Sequence, residues 1–368
     1  MLNVSDKPAP GVSIVVPSWN GIELLKRFLP SVLASAGRYS EQTRAPVEII
    51  IVNDGSTDGT AEYLLGLGFE TEPRTSQPHG LRLINNEANI GFGRTCNRGF
   101  QAARYPLVFL LNNDVEVSEG AIAPLVENFS DPARFAAHCR VFEVEDGAEV
   151  GTGKIGSFAR GFIRVHRSYV TKHAKEPGSR EPDDDEPLYS IFATGGSSMF
   201  DRQKFIGLGA FDELLSPIYW EDVDISYRAW KRGYTISYEP RSVVRHRVSS
   251  TMRRVGRKKI WRLKQRNRLI YHWVNLHDPG LMASHLLWVA LLAVTAPLRL
   301  QPGFILALID ALRRLGPIRR RRREERLAAR RTDREVFEVF DALSRRADVQ
   351  VYDDRRELER LTRRAQQG

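Results

Sequence analysis

Val47-Glu48-Ile49-Ile50-Ile51-Val52 runs into Asn53-Asp54-Gly55-Ser56-Thr57-Asp58-Gly59, a short apolar segment cut off by a polar turn. A brief β-branched run bounded by turn residues reads as a buried strand. The same unit recurs on both sides. Upstream, Val12-Ser13-Ile14-Val15-Val16 is closed by Pro17 and followed by a helical face of Leu24, Leu25, Phe28, Leu29 and Val32. Downstream come a helix over 60–67, a strand from Leu81 to Ile84, a helix over 92–103 and the strand Leu107-Val108-Phe109-Leu110-Leu111. Strands alternating with helices imply an α/β protein whose mostly parallel sheet is covered on both faces. Such sheets bind ligands beyond the carboxyl ends of their strands. Ser18-Trp19-Asn20, Asn53-Asp54-Gly55, Asn85-Asn86 and Asn112-Asn113-Asp114 all fall at such ends, which points to one shared site.

Beyond residue 115 the alternation loosens into a helix over 118–129 and mixed strands over 136–144 and 160–166. Arg167 to Pro187 has no apolar period and is expected to be a mobile loop; its Asp183-Asp184-Asp185 reads as solvated rather than metal-binding. The 368 residues allow two or three domains. The expected division is 11–115, 116–250 and a helical region 251–368. The net charge of +10 is uneven: residues 251–368 hold 28 Lys and Arg against 13 Asp and Glu, leaving the rest acidic. Cys96 and Cys139 match no disulfide framework or zinc spacing. The start, Met1 to Asp6, lacks the layout of a secretion signal, so a cytoplasmic location is expected.

Asp54, at a strand end before a helix, can accept hydrogen bonds from a nucleobase or ribose, or can serve a turn and N-cap. Asn89-Ile90-Gly91-Phe92-Gly93-Arg94 starts a helix and offers backbone N–H groups and Arg94 to a diphosphate; close helix–sheet packing explains its glycines equally. Asp114 ends an apolar strand, where a carboxylate needs a cation or hydrogen bonds. His246 follows the strand Ser242-Val243-Val244-Arg245; it is either structural or, with Asp114, a ligand to a hard divalent ion that also binds phosphate oxygens. Trp220-Glu221-Asp222-Val223-Asp224 puts carboxylates at the start of an amphipathic helix, suited to proton abstraction.

Val12 to Asn20, the Asn53 to Asp58 turn, Asn89 to Gly99, Leu111 to Val115, Gly195-Gly196 and Trp220 to Asp224 occur in the order seen in family 2 glycosyltransferases, and the chain resembles their bacterial rhamnosyl- or galactofuranosyl-transferase-like branch over roughly 11–250. The resemblance implies a GT-A fold, a nucleotide-diphosphate sugar donor, a divalent metal (Mg²⁺ or Mn²⁺) and inversion at the anomeric carbon. It assigns Asp222 as general base and Asp114 and His246 to the metal. Asn112 stands where the family often has the first carboxylate of Asp-x-Asp, and an amide is a weaker ligand. It assigns Pro17, Trp19, Asn20, Asp54, Asn89, Gly91, Arg94 and Asn113 to the donor, and Gly195, Gly196, Trp220 and Glu221 to the acceptor. The acceptor implied is a hydroxyl of a glycan or lipid-linked glycan in cell-envelope polysaccharide synthesis. A nucleotidyltransferase and an inactive sugar-binding scaffold are the alternatives on the same fold.

The C-terminal region combines a basic helix over 257–275, an uncharged stretch from Pro279 to Leu298, a helix from Phe304 to Leu315 and the run Arg319 to Arg323. Amphipathic helices with arginine clusters suit peripheral attachment to an anionic membrane, here the inner face of the cytoplasmic membrane. Packing on the body and a spanning helix are the other readings. No nucleic-acid partner is expected, because no recognition module accompanies the arginines. Nothing indicates the oligomeric state.

Overall fold

The computed structural model describes residues 8–71, 80–171, 186–247, 256–297 and 302–353. The first half alternates as expected: β1 Val12–Ser18, α1 Ile22–Thr43, β2 Val47–Asn53, α2 Thr60–Gly66, β3 Gly80–Asn85, α3 Phe92–Ala102 and β4 Leu107–Leu111. Then follow β5 Val115–Val117, α4 Ile122–Glu127, β6 Arg134–Glu143, β7 Glu149–Gly151, β8 Gly153–Ala159, β9 Phe162–Thr171, β10 Ser197–Asp201, α5 Arg202–Gly207, α6 Glu221–Lys231 and β11 Thr235–His246. The C-terminal region supplies α7 Arg257–Asn275, α8 Pro279–Thr295, α9 Pro302–Leu312, α10 Leu315–Ala328, α11 Asp333–Ser344 and β12 Val349–Tyr352.

The main sheet runs β3-β2-β1-β4-β10-β6-β11-β5, with β7 paired to β6. Its first four strands are parallel, and β10 enters antiparallel to both β4 and β6. Side chains alternate across it. Val15, Ile50 and Val52 pack with Cys96 and Phe100 of α3, while Ile14, Ile49 and Ile51 pack with Leu25, Leu29 and Val32 of α1. Burial on both faces is what makes β1 and β2 continuous apolar runs. Gly99 lets α3 lie close to the sheet, since a Cβ there would sit 2.3 Å from Val15.

Two expectations are corrected. Arg167–Thr171 are not loop: they complete β9, with Arg167, Ser168 and Tyr169 paired to β8 on one side, Ser168–Thr171 paired to the distant β12 on the other, and Tyr169 buried. Asp183-Asp184-Asp185 lie outside the described residues. The C-terminal region is not helical throughout, since β12 joins β9 and β8 in a three-stranded sheet. Several of its helices pack on the body: Asn267, His272, Asn275, Glu325 and Asp333 are buried. Among the described residues no helix is long and apolar enough to cross a membrane. Leu298, the end of the uncharged stretch, lies outside them.

Candidate active site

The parallel pairing sets Ser18, Asn53 and Asn85 side by side at one edge of the sheet. Asn53 Nδ2 donates to Asn85 Oδ1 at 2.9 Å, and Asn20 links the first two loops, its Oδ1 accepting from Thr57 N at 2.8 Å and its N–H donating to Ser56 Oγ at 2.8 Å. Trp19 is half-buried beside them, Pro17 lies buried within β1, and Asn89 is exposed. These loops lie at the same edge of the sheet as the end of β4 and the start of α3.

Asp54 is buried at the centre of this edge. Its Oδ1 accepts from Ile90 N at 2.9 Å and Asn86 Nδ2 at 2.7 Å, and its Oδ2 accepts from Gly91 N at 3.1 Å. Three of the carboxylate's about four acceptor positions are thus used to shape the 86–91 loop. Gly91 adopts φ 91°, a left-handed region that favours glycine, and a Cβ there would also press on Pro217 O at 3.0 Å. Arg94 pairs with Glu213 at 2.7 Å in an exposed salt bridge, so the cation that the sequence offered to a diphosphate is tied to the loop before α6.

Asn112-Asn113-Asp114 leave β4 toward β5. Asn113 Nδ2 donates to Ser18 Oγ at 2.9 Å, and Asn112 N–H donates to Gly196 O at 3.0 Å. A Cβ on Gly196 would lie 2.4 Å from the Asn112 side chain, so only glycine admits this approach. Gly195, next in the same turn, donates its N–H to Asp222 Oδ2 at 3.2 Å, and its Cα faces Asp222 and the Phe92 ring. The turn therefore joins the strand end carrying Asn112 to the first turn of α6.

Asp222 Oδ1 also accepts from Val223 N at 2.8 Å. Burial raises its pKa, and the backbone N–H groups of Gly195, Val223 and Asp222 itself only partly offset this. Glu221 is buried and lines a small pocket with Gly93, Arg94, Phe211 and Pro217. There burial, then the charge of Asp222, pushes its carboxyl up to about 8. Asp224 is anchored: Arg228 Nε donates to Oδ2 at 2.8 Å and Asn275 Nδ2 to Oδ1 at 2.6 Å.

The loop before α6 is held by α7, a contribution invisible in the sequence. Tyr219 and Trp220 both take positive φ, 73° and 77°. Such backbone costs of order 1–3 kcal/mol per residue and persists only when its surroundings enforce it. Fully buried Asn267 enforces it, with Nδ2 donating to the carbonyls of Leu215, Ile218 and Tyr219, the last two at 2.9 Å. The Trp220 ring tilts over Tyr271, with centroids 5.2 Å apart.

β11 pairs antiparallel with β5, matching His246 to Val115. His246 Nε2 consequently meets Asp114 Oδ1 at 3.0 Å. Burial draws the imidazole pKa down, but the hydrogen bond and charge of Asp114, aided by Glu143, hold it above its ordinary value. A separation of about 3 Å is what two adjacent ligands at roughly 2.1 Å from a hard cation would show. Among the described residues no group of three or more His, Cys, Asp or Glu side chains could share an ion. Asp114 and His246 are two groups of ligand type side by side, and an ion held by them would take its remaining ligands from water or phosphate.

Comparison with known proteins places the chain among relatives. The family model for Glycosyl transferase family 2 matches residues 13–207. The poly-beta-1,6-N-acetyl-D-glucosamine synthase of Staphylococcus aureus is 25% identical over 232 residues, covering 62% of this chain and 48% of that protein. The chain spans about half the length of the curated relatives it matches. The solved structure of GalNAc-T7 with UDP, GalNAc and Mn²⁺ aligns with TM-score 0.54 and 21% identity, over 73% of this chain and 48% of that one. S. aureus TarS 1–349 in complex with UDP-GlcNAc aligns with TM-score 0.50 and 15% identity, over 91% of each chain.

Proposed function

The chain belongs to glycosyl transferase family 2 and has the GT-A fold, and on that premise we propose that it moves a sugar from a nucleoside-diphosphate donor to an acceptor hydroxyl with inversion, Asp222 acting as general base. The observation that carries this reading is the Gly195-Gly196 turn, which brings Asp222 and Asn112 to one centre. An acceptor hydroxyl attacks poorly until a positioned base takes its proton. Asp222 presents a carboxylate oriented by two backbone N–H groups, with its pKa lifted toward better basicity. Asp222 is the carboxylate tied to the Gly195-Gly196 turn, and direct attack by the acceptor oxygen it deprotonates gives inversion.

The donor's nucleoside end is assigned to the edge formed by Trp19, Asn20 and the Asp54-shaped loop, and its diphosphate to the start of α3. Asp114 and His246, with the weaker ligand Asn112, would hold a divalent cation, whose chemistry is to neutralise the departing diphosphate. GalNAc-T7 and TarS were solved with UDP, GalNAc and Mn²⁺ and with UDP-GlcNAc, which supports a donor of this class. The acceptor is a hydroxyl of a glycan or lipid-linked glycan in envelope polysaccharide synthesis, in keeping with the synthase relatives.

Attachment to an anionic membrane belongs to the same reading. α8 is apolar on all sides, yet Leu287 is 71% and Val294 73% exposed. Leu306, Ile309 and Leu312 of α9 are exposed too, next to the exposed Arg313, Arg319 and Arg320. An all-round apolar helix left in water is unfavourable unless a bilayer or partner covers it, and each arginine near an anionic surface adds ~1 kcal/mol. A thermal-shift screen of nucleoside-diphosphate sugars with Mn²⁺ or Mg²⁺, followed by nucleoside-diphosphate release, tests the function. Release of pyrophosphate instead would mark a nucleotidyltransferase, and no stabilisation by any donor would remove the reading.

A further inference from the structure

Lys264 and Arg268 lie one turn apart on the same face of α7, an arrangement in which like charges repel. Lys264 Nζ sits 4.2 Å from the Tyr219 ring centroid, and the Arg268 guanidinium 3.8 Å from that of Phe162. Arg164 and His166 occupy alternate positions of β9 and share one face of that strand. Burial, and then the charges of Arg268, Lys154, Arg164 and Lys264, hold His166 below its ordinary pKa, so these groups feel one another. Among the described residues none of Arg164, Lys264 and Arg268 has a carboxylate partner. Neighbouring half-buried arginines do: Arg262 pairs with Asp310, and Arg321 with Asp212 and Glu325.

The cluster occupies a distinctive place. On one side Tyr219 leads directly into Trp220-Glu221-Asp222. On the other, the Phe162 ring stands edge-on to His272 and His285, with centroids 5.2 and 5.0 Å away. His285 Nδ1 donates to Gly161 O at 2.7 Å, and a Cβ on Gly161 would meet Trp288 at 2.6 Å. The unpaired cations therefore stand between the base and α8, whose leucines are exposed.

We propose that Arg164, Lys264 and Arg268 form a subsite for a phosphate or diphosphate that the acceptor carries between its sugar and a hydrocarbon chain. The inference rests on the glycosyltransferase reading and narrows the acceptor to an anionic amphiphile. Its sugar end lies toward Asp222, its phosphate lies against the three cations, and its chain runs toward α8. Guanidinium and ammonium groups already aligned on aromatic faces keep their N–H edges for phosphate oxygens, where charge-assisted bonds are strongest.

The test uses the full chain with the nucleoside diphosphate selected by the thermal-shift screen at saturation, so that the donor site is filled. Farnesyl diphosphate, farnesol, pyrophosphate and phosphatidylglycerol vesicles are then titrated. Farnesyl diphosphate should bind more tightly than farnesol, and Lys264→Gln and Arg268→Gln should each weaken it about tenfold or more. Arg268→Lys should recover part of the loss, and melting curves check that each variant is folded. Equal binding of farnesyl diphosphate and farnesol, or variants that bind farnesyl diphosphate like wild type, overturns the proposal. So does a loss confined to vesicles, which would assign the cations to bilayer headgroups. Should no nucleoside diphosphate bind in the screen, the enzymatic reading fails separately, and the farnesyl diphosphate titration still reads the subsite on its own.

Discussion

The backbone N–H of Gly195 donates to Asp222 Oδ2 at 3.2 Å, tying the first turn of α6 to the loop that enters β10. An asparagine at 222 can still accept that bond through its amide oxygen, but it cannot take a proton. Asp222→Asn should therefore keep donor-induced thermal stabilisation and lose transfer by about 10²–10⁴-fold, the range of a general base. Wild-type turnover in this variant would remove Asp222 from that role.

Gly196 abuts Asn112 closely enough that any side chain must displace it. Gly196→Ala should lower stability by about 1–3 kcal/mol, the usual cost of overpacking, and depress kcat by separating β4 from α6. Denaturant melts and steady-state kinetics read the two effects; unchanged values in both would show that the turn is adaptable.

Glu221 releases its proton at about 8 in the folded chain, against an ordinary value of 4.5. A raised folded value means that its contribution to stability is complete below pH 4.5 and drains away as pH rises through about 8. Glu221→Gln removes this drain. The melting temperature of the variant relative to wild type should rise between about pH 5 and pH 8.5. A difference independent of pH would show that Glu221 ionises normally.

Asn267 Nδ2 shares its two N–H groups among three carbonyls of the loop that enters α6. Asn267→Ala leaves them buried without a donor and should cost about 1–3 kcal/mol. Because Tyr219 and Trp220 then lose their restraint, kcat should fall more than donor KM rises. Equal changes in both would place the effect on donor binding.

His246 and Asp114 meet at 3.0 Å across the β5–β11 pair. His246→Ala should raise the Mn²⁺ concentration needed for half-maximal donor-induced stabilisation by about tenfold, the lower range for loss of a ligand or its support. An unchanged Mn²⁺ titration would make His246 a structural residue.

Periodicity and turn chemistry were enough to read β1 to β4, the helices between them and the gathering of polar loops at the strand ends. Those signals are local: an apolar run of five or six residues and a Gly–Asp turn mean the same thing wherever they lie. Tertiary structure alone decided how the site residues are employed. Asp54 is consumed by the 86–91 loop and Arg94 by Glu213, while Asn267 restrains a loop 48 residues upstream. Arg167–Thr171 are strand through pairing with β8 on one side and with β12, returning from far downstream, on the other. Each of these depends on hydrogen-bond partners brought together by chain reversal, and a buried donor or acceptor takes whichever partner the packing supplies. The sequence determined which groups gather at the sheet edge, and the fold decided which of them are engaged by neighbouring groups.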